Sequence, residues 1–432
     1  MKYIEKKDIK NSINDKLSML PVKIILIYLL VTIVLYAINA DRPETKHPFL
    51  LYPYLIVSYL LLYFGFKSST IKGRNKVQSN RINANSIFGF SSQTYSFFLI
   101  VSVILLHITL NERTGSFWFN FNSLRNLGRA YLENYEFVIN RQGSSLVEWA
   151  RAILAPITLL YLALGITCWK KLSIGQKILM VYVALGNIFM YFLSGVNKML
   201  ADTIIMLFIY ALIGIVRSDN LKAKLGGFLT AEKKIKKFVI VMTVIAIIFI
   251  CVFTVNIGSR VGAETFTFDG ILDYTTQYFA NGYIALDCSF EQPFESTFGF
   301  GSSMYLLQST RGWFDTDFFY ERTYLTKNEV LFGIDQSKNW STIFVWIGND
   351  ISLLGAMIAM YFIGRFFGKV WMESIYQDNP YSLVLCGLMT QLCFYIPANN
   401  QIVQTFEALA GLLFMLLLRG LKKKIRFVFS HS

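Results

Sequence analysis

Phe238-Val-Ile-Val-Met-Thr-Val-Ile-Ala-Ile-Ile-Phe-Ile-Cys-Val-Phe-Thr-Val-Asn-Ile257 runs for twenty residues without a charge. As a helix it is long enough to cross a hydrocarbon core of ~30 Å. It is entered from a basic segment, Lys233, Lys234, Lys236 and Lys237, and it opens into the aqueous, acidic, aromatic-rich stretch Ile257 to Trp340. A long polar segment set among apolar spans is a place for chemistry or recognition.

Outward from that stretch the same pattern recurs. Candidate spans are Ile24–Ala40, Phe49–Phe66, Thr94–Asn111, Ala152–Cys168, Ile178–Leu193, Met199–Val216, Phe238–Ile257, Thr342–Gly364, Tyr381–Ile396 and Gln401–Leu418. Ten spans in a chain that is 54% hydrophobic and only 16% charged predict an all-α polytopic integral membrane protein, one membrane domain over residues 1–432. The first apolar run leads into a second without a small-residue cleavage site, so it reads as an anchor and not as a cleaved signal.

The net charge of +14 suggests nucleic acid until the cations are sorted by loop. Lys2 to Lys16, Lys67 to Arg81, Lys170 and Lys171, Arg217 to Lys237 and Arg419 to Arg426 fall on alternate loops, hence on one side. The positive-inside rule makes that side cytoplasmic. Both termini are then inside, and residues 41–48, 112–149, 257–340 and 397–401 face outward. Within 112–149, Leu124, Leu127, Tyr131 and Leu132 follow a helical spacing that predicts an interfacial helix. Arg113, Arg125, Arg129 and Arg141 in that segment either bind lipid phosphate or lie on the surface.

Of five cysteines only Cys288 lies in the large outer segment, so no internal disulfide framework is available there. His47, His107 and His431 do not cluster, and neither a zinc spacing nor a phosphate-binding P-loop occurs. No cofactor, no metal and no nucleic-acid partner is expected.

Ionisable groups within spans cost several kcal/mol unless they face protein or water. Lys198 and Asp202, spaced i,i+4 after a short outer turn, either satisfy each other or offer a cation to an anionic ligand. Asp350, after Asn349 and two turns into an apolar run, requires either a helix break at Gly348 or a buried carboxylate; it is a helix cap or a functional acid. Tyr395-Ile-Pro-Ala-Asn-Asn-Gln401 carries Asn399, Asn400 and Gln401 into a helix on which Gln401, Gln404 and Glu407 fall on one face, a pattern that predicts a polar cavity. Arg260 at the end of its span and Arg311 in Gln308-Ser-Thr-Arg311 suit bidentate phosphate binding, or else interfacial anchoring or ion pairing.

Ser194-Gly-Val-Asn-Lys198, Asn256-Ile-Gly-Ser-Arg260, Glu291-Gln-Pro-Phe-Glu295 with its continuation to Gly301, Asn349-Asp350 ahead of Gly355, and Tyr395 to Gln401 occur in this order. As an ordered set, over roughly Leu193 to Leu418, they resemble the Wzy-type oligosaccharide repeat-unit polymerases of bacterial O-antigen and capsule assembly. The resemblance implies a GT-C-like glycosyltransferase of the cytoplasmic membrane, active on its outer face, using donor and acceptor glycans on undecaprenyl pyrophosphate without metal or nucleotide sugar. It also implies a polysaccharide chain-length regulator as partner. Catalytic candidates are Asp350, Arg260, Arg311, Glu291 and Glu295, with Asp350 favoured as the proton acceptor; Lys198, Asn256, Asn349, Tyr395, Asn399, Asn400 and Gln401 are the substrate-binding candidates. The aromatics Tyr274, Tyr278, Phe279, Tyr283, Phe294, Phe298, Tyr305, Trp313 and Trp340 either stack on sugars or form an interfacial belt.

The competing readings are an O-antigen ligase, a lipid-linked oligosaccharide transporter and a non-catalytic scaffold. A ligase is expected to carry a histidine in its large outer loop, and residues 257–340 contain none. A transporter often shows an internal repeat with paired broken helices, and none is evident.

Overall fold

The computed structural model describes residues 18–38, 45–76, 87–119, 121, 127–139, 144–224, 231–261, 276, 279–334 and 341–429. Its regular elements are helices: α1 (Leu20–Ile38), α2 (Pro48–Lys76), α3 (Ser92–Thr114), α4 (Leu127–Ile139), α5 (Ser145–Thr167), α6 (Ile174–Leu193), α7 (Lys198–Lys224), α8 (Ala231–Val261), α9 (Gly282–Ser289), α10 (Met304–Phe314), α11 (Phe318–Glu321), α12 (Tyr324–Phe332), α13 (Ile343–Tyr376), α14 (Pro380–Phe394) and α15 (Phe406–Phe429). Among the described residues eight helices are long and apolar enough to cross a membrane: α1, α3, α5, α6, α13, and α2, α7 and α8 over Pro48–Ile71, Lys198–Ser218 and Lys234–Phe253. Only a helix satisfies its own backbone without a neighbour, which is why apolar runs of this length take this form in lipid.

The remaining two expected spans differ from the sequence reading. α14 is an apolar helix of 15 residues, short for a full crossing. The stretch from Gln401 does not continue as a helix: Gln401–Val403 is a single 3-10 turn, and α15 starts at Phe406. Its apolar run then gives way to Arg419 and Lys422.

The chain divides into two compact units, a subdivision that hydropathy does not reveal. The first comprises residues 1–80, 275–373 and 389–405, and the second 81–274, 374–388 and 406–432. In the first unit α2 and α13 approach closely through glycines. A Cβ on Gly364 would stand 2.1 Å from Leu62 O, one on Gly368 2.5 Å from Phe66 O, and one on Gly65 2.0 Å from Tyr361 O. This is small-residue packing of the kind that brings membrane helices together where no hydrophobic force favours association.

The polar segment that follows α8 is tied to the same helices. Tyr283 of α9 shares hydroxyl hydrogen bonds of 2.8 Å with Thr32 of α1 and Tyr59 of α2. Asp287, 2% exposed, accepts from the backbone of Lys46 at 2.6 Å and His47 at 3.0 Å. A carboxylate from another segment thus caps the start of α2, where free N–H groups and the helix dipole favour negative charge.

In the second unit α3, α5, α6, α7 and α15 pack together and α4 lies against α8. A helix does form in the segment expected to be interfacial, α4, although Leu124 lies outside the described residues. Arg217 donates to Ser374 O at 3.1 Å, Gln377 O at 2.7 Å and the Asp378 carboxylate, knitting the turn between α13 and α14, while Lys422 reaches Asp378 O at 2.7 Å. The apolar window of α8 has none of its residues buried, and Ile240, Val244, Ile247 and Ile248 stand exposed along it, as a lipid-facing helix requires.

Candidate functional site

In the first unit the sequence-predicted residues gather around a break in α13. The helix loses its geometry at Ile351 and at Ser352, where φ is +71° and ψ 164°. That is three residues beyond Gly348, the residue at which the sequence suggests a break. A serine in this region of φ/ψ space costs about 1–3 kcal/mol and persists only where its surroundings fix it. Here they do. Carbonyls freed by the break are taken up by the turn 296–302 and by α2: Thr297 N and Oγ1 donate to Asn349 O at 3.0 and 2.9 Å, Ser296 Oγ to Asp350 O at 2.9 Å, and Tyr54 OH to Leu353 O at 2.6 Å. Ser352 Oγ caps the following helix segment by accepting from Gly355 N at 3.2 Å.

Asp350 is the centre of this turn. Its Oδ1 accepts from Gly299 N at 2.8 Å, Gly301 N at 3.0 Å and Thr297 Oγ1, and its Oδ2 from Ser302 Oγ. Four donors on one carboxylate hold a loop; they leave few lone pairs for a substrate proton. Gly301 has to be glycine, because a Cβ would meet Thr297 Oγ1 at 2.1 Å. Asn349, fully buried, accepts from Tyr324 N at 2.9 Å and donates to Gly301 O at 3.0 Å, so its amide is used inside the fold.

The other acids and amides of this unit are also partnered. Glu291 meets His47 Nε2 at 2.9 Å and Lys46 Nζ at 3.7 Å. Glu295 receives Lys327 at 3.0 Å with Arg322 at 3.9 Å, and both glutamates keep a solvent-facing side. Arg311 pairs with Asp317 and stacks over Tyr320, 3.9 Å from its centroid. Asn400 donates to Ser302 O at 2.9 Å, and Gln404 joins Asn399 Oδ1 at 2.9 Å to Met304 N at 2.7 Å. Gln401 is buried, and Tyr395, half-buried, opens the turn by accepting Ala398 N and Asn399 N at 2.9 and 2.8 Å. The expected common face of Gln401, Gln404 and Glu407 does not form. The 3-10 turn separates the two glutamines from α15, and Glu407 belongs to the second unit.

Glu407 instead joins a charge cluster at one end of the second unit's helices. Arg151 Nη2 donates to the Glu407 carboxylate and lies 3.4 Å from Tyr191 OH. Arg113 stacks over the Tyr191 ring at 4.7 Å and donates to Asn134 Oδ1 at 3.0 Å. Lys198 bonds Asp202 at 3.1 Å, and its charge also reaches Tyr191 and Glu407. Three cations thus meet two carboxylates around one tyrosine, where the ends of α3, α5, α6, α7 and α15 converge. Lys198 was legible from its i,i+4 partner. Arg151 was not, since the sequence reading starts its span one residue later, at Ala152, whereas α5 begins at Ser145.

Asn256 and Arg260 belong to the last turns of α8, and their side chains lie outside the described residues, as do Tyr274, Tyr278 and Trp340. No group of three or more metal-ligating side chains occurs among the described residues. These features define a helical, polytopic membrane protein with a folded polar segment seated on a broken span. Neither a family model nor a curated protein nor a solved structure matches the chain.

Proposed function

We propose that this protein is a membrane glycosyltransferase that polymerises undecaprenyl-pyrophosphate-linked oligosaccharide repeat units on the outer face of a bacterial cytoplasmic membrane. The observation that carries the reading is the gathering of Arg113, Arg151 and Lys198 around Tyr191 at the end of an apolar helix bundle. Cations gathered at a bundle end suit an anionic ligand, and a lipid pyrophosphate supplies one. The alternation of basic loops supports an outer setting for that end.

In the reaction an acceptor sugar hydroxyl attacks the donor's anomeric carbon, the bond from that carbon to the pyrophosphate oxygen breaks, and the hydroxyl proton passes to a carboxylate. Fixed cations stabilise the charge that builds on the leaving group. Within the first unit Glu295 keeps an exposed face while Asp350 is occupied by four donors, so Glu295 is the freer carboxylate of the two. Arg260 remains a proposed phosphate ligand, from the ordered motifs alone.

The test is purified protein in nanodiscs given a lipid-pyrophosphate-linked repeat unit without metal or nucleotide sugar. A product ladder growing by one repeat is expected, with Arg151→Ala reducing it by about 10²-fold or more, as loss of one charge-stabilising donor does. The break in α13 favours a second reading, transport of the same lipid, since broken helices line transporter sites. Movement of the substrate across a liposome bilayer without ladder formation would replace the polymerase by the transporter.

A further inference from the structure

The exposed aromatics of the polar segment that follows α8 are not scattered. Phe298 touches the guanidinium of Arg322 through its ring face (5.5 Å), and Arg322 also lies 4.5 Å from the Phe318 centroid. Phe318 packs on Phe319 at 5.3 Å, Phe319 on Phe300 at 4.9 Å, and Phe300 on Trp313 and Phe314 at 6.5 and 6.2 Å. In this connected set Phe298 is 67% exposed, Trp313 58%, Phe314 55% and Phe318 44%. Four large rings left partly in water forfeit hydrophobic burial.

The backbone presents one of these rings at a further cost. Phe298 has φ +55°, a left-handed conformation that is a genuine outlier for a bulky residue. It is held there by the turn that Asp350 ties on both sides, through Thr297 Oγ1 and Gly299 N. The ring is aimed outward instead of being folded against the turn.

The surroundings say what covers it. The residue after Asp350 is Ile351, itself exposed, and past the break an exposed apolar row, Leu354, Ile358 and Phe362, runs at helical spacing down the lipid face of α13. The turn carrying Phe298 is hydrogen-bonded to Asp350 itself, so the aromatic set begins where that lipid face ends. The rings meet at steep interplanar angles, 68° for Phe300–Trp313, 75° for Phe300–Phe314 and 88° for Trp313–Phe314. That arrangement presents a ridged apolar surface and not a flat platform for a sugar ring. Arginines laid against aromatic rings beside it match an interface with hydrocarbon on one side and phosphate on the other.

We propose that Phe298, Trp313, Phe314 and Phe318 form a membrane-docking surface that dips into the bilayer leaflet beside the break in α13, with Arg311 and Arg322 at the level of the lipid phosphates. The Asp350 turn is the clamp that fixes its depth. The proposal stands whether or not the protein transfers sugars.

Nitroxide labels on Phe298→Cys and Phe314→Cys test it, in a Cys251→Ser background because the other four cysteines are buried. The full chain is placed in nanodiscs of phosphatidylethanolamine and phosphatidylglycerol. The ratio of oxygen to nickel-chelate collision rates at both labels should approach that of a lipid-face label on Ile358→Cys and exceed that of a label on Glu291→Cys. A ratio at or below the Glu291→Cys value overturns the proposal, as does low collision with both reagents, which would mean a protein surface covers the patch. A second readout leaves Phe298 intact: acyl-chain-brominated lipid should quench wild-type tryptophan fluorescence more than that of Trp313→Phe. Equal fractional quenching of the two would overturn it equally.

Discussion

Asp350 illustrates how one carboxylate serves two incompatible readings, and a single substitution separates them. An asparagine in its place keeps one acceptor oxygen and turns a donor either toward Ser302 Oγ or toward the Gly299 and Gly301 amides, so it cannot accept from all four donors. Leaving such donors unmet costs about 2–3 kcal/mol. Asp350→Asn should therefore lower the thermal midpoint in detergent and speed amide exchange across residues 296–302. A normally stable protein with slow exchange there and no turnover would instead restore Asp350 as a proton acceptor. Cys288 supports a second prediction at this scale. Burial pushes its thiol up to about 11, so the thiolate fraction near pH 7 is on the order of 10⁻⁴. N-ethylmaleimide should leave Cys288 unmodified in the folded protein and modify it after denaturation in detergent, read by mass spectrometry. Modification at equal rates in both states would show that α9 does not stay packed.

Among the helices, the contact of α2 with α13 makes the sharpest demand on sequence. Gly364 admits no side chain, since a Cβ would enter the space of a backbone carbonyl. Gly364→Val should cost about 1–3 kcal/mol, as overpacking does, and show as a lower unfolding midpoint. A surface glycine such as Gly175, which has open space around it, should accept the same change with little loss. Gly364 and Gly368 stand four apart on either side of Arg365, with Lys369 next in the chain, so hydropathy passes over this contact. Eight of the ten expected spans were readable because length and apolarity decide them. The 3-10 turn at Gln401 was not readable, because Gln401, Gln404 and Glu407 also fit a helix; tertiary bonds from Asn400 and Gln404 to residues 302–304 decide against one. The position of the break in α13 was likewise set from outside, by the turn that receives the freed carbonyls of Asn349 and Asp350. Sequence spacing carries no signal for a partner some fifty residues away.

At the level of the whole molecule, charge is sorted along the helices and not only along the chain. The second unit has Arg113, Arg151 and Lys198 at one end of its helices, whereas Arg217 and Lys422 gather around Asp378. Lys170 and Lys171 extend the basic loops to which Arg217 belongs by sequence. Short loops rich in Lys and Arg stay in the cytoplasm because translocating them is costly, so the expected orientation rests on the loops and not on the cluster. A pair of single cysteines in the Cys251→Ser background tests it: Lys171→Cys on an exposed basic loop and Val330→Cys, an exposed position on α12 in the segment expected to face outward. In intact spheroplasts a membrane-impermeant maleimide should label Val330→Cys and reach Lys171→Cys only after permeabilisation. The reverse pattern would turn the molecule over, place residues 279–334 in the cytoplasm, and remove the outer-face setting on which the polymerisation reading depends. Labelling of both positions before permeabilisation would instead mean an odd number of crossings between residues 171 and 330 had been miscounted, and would point first to the segment between α8 and α9.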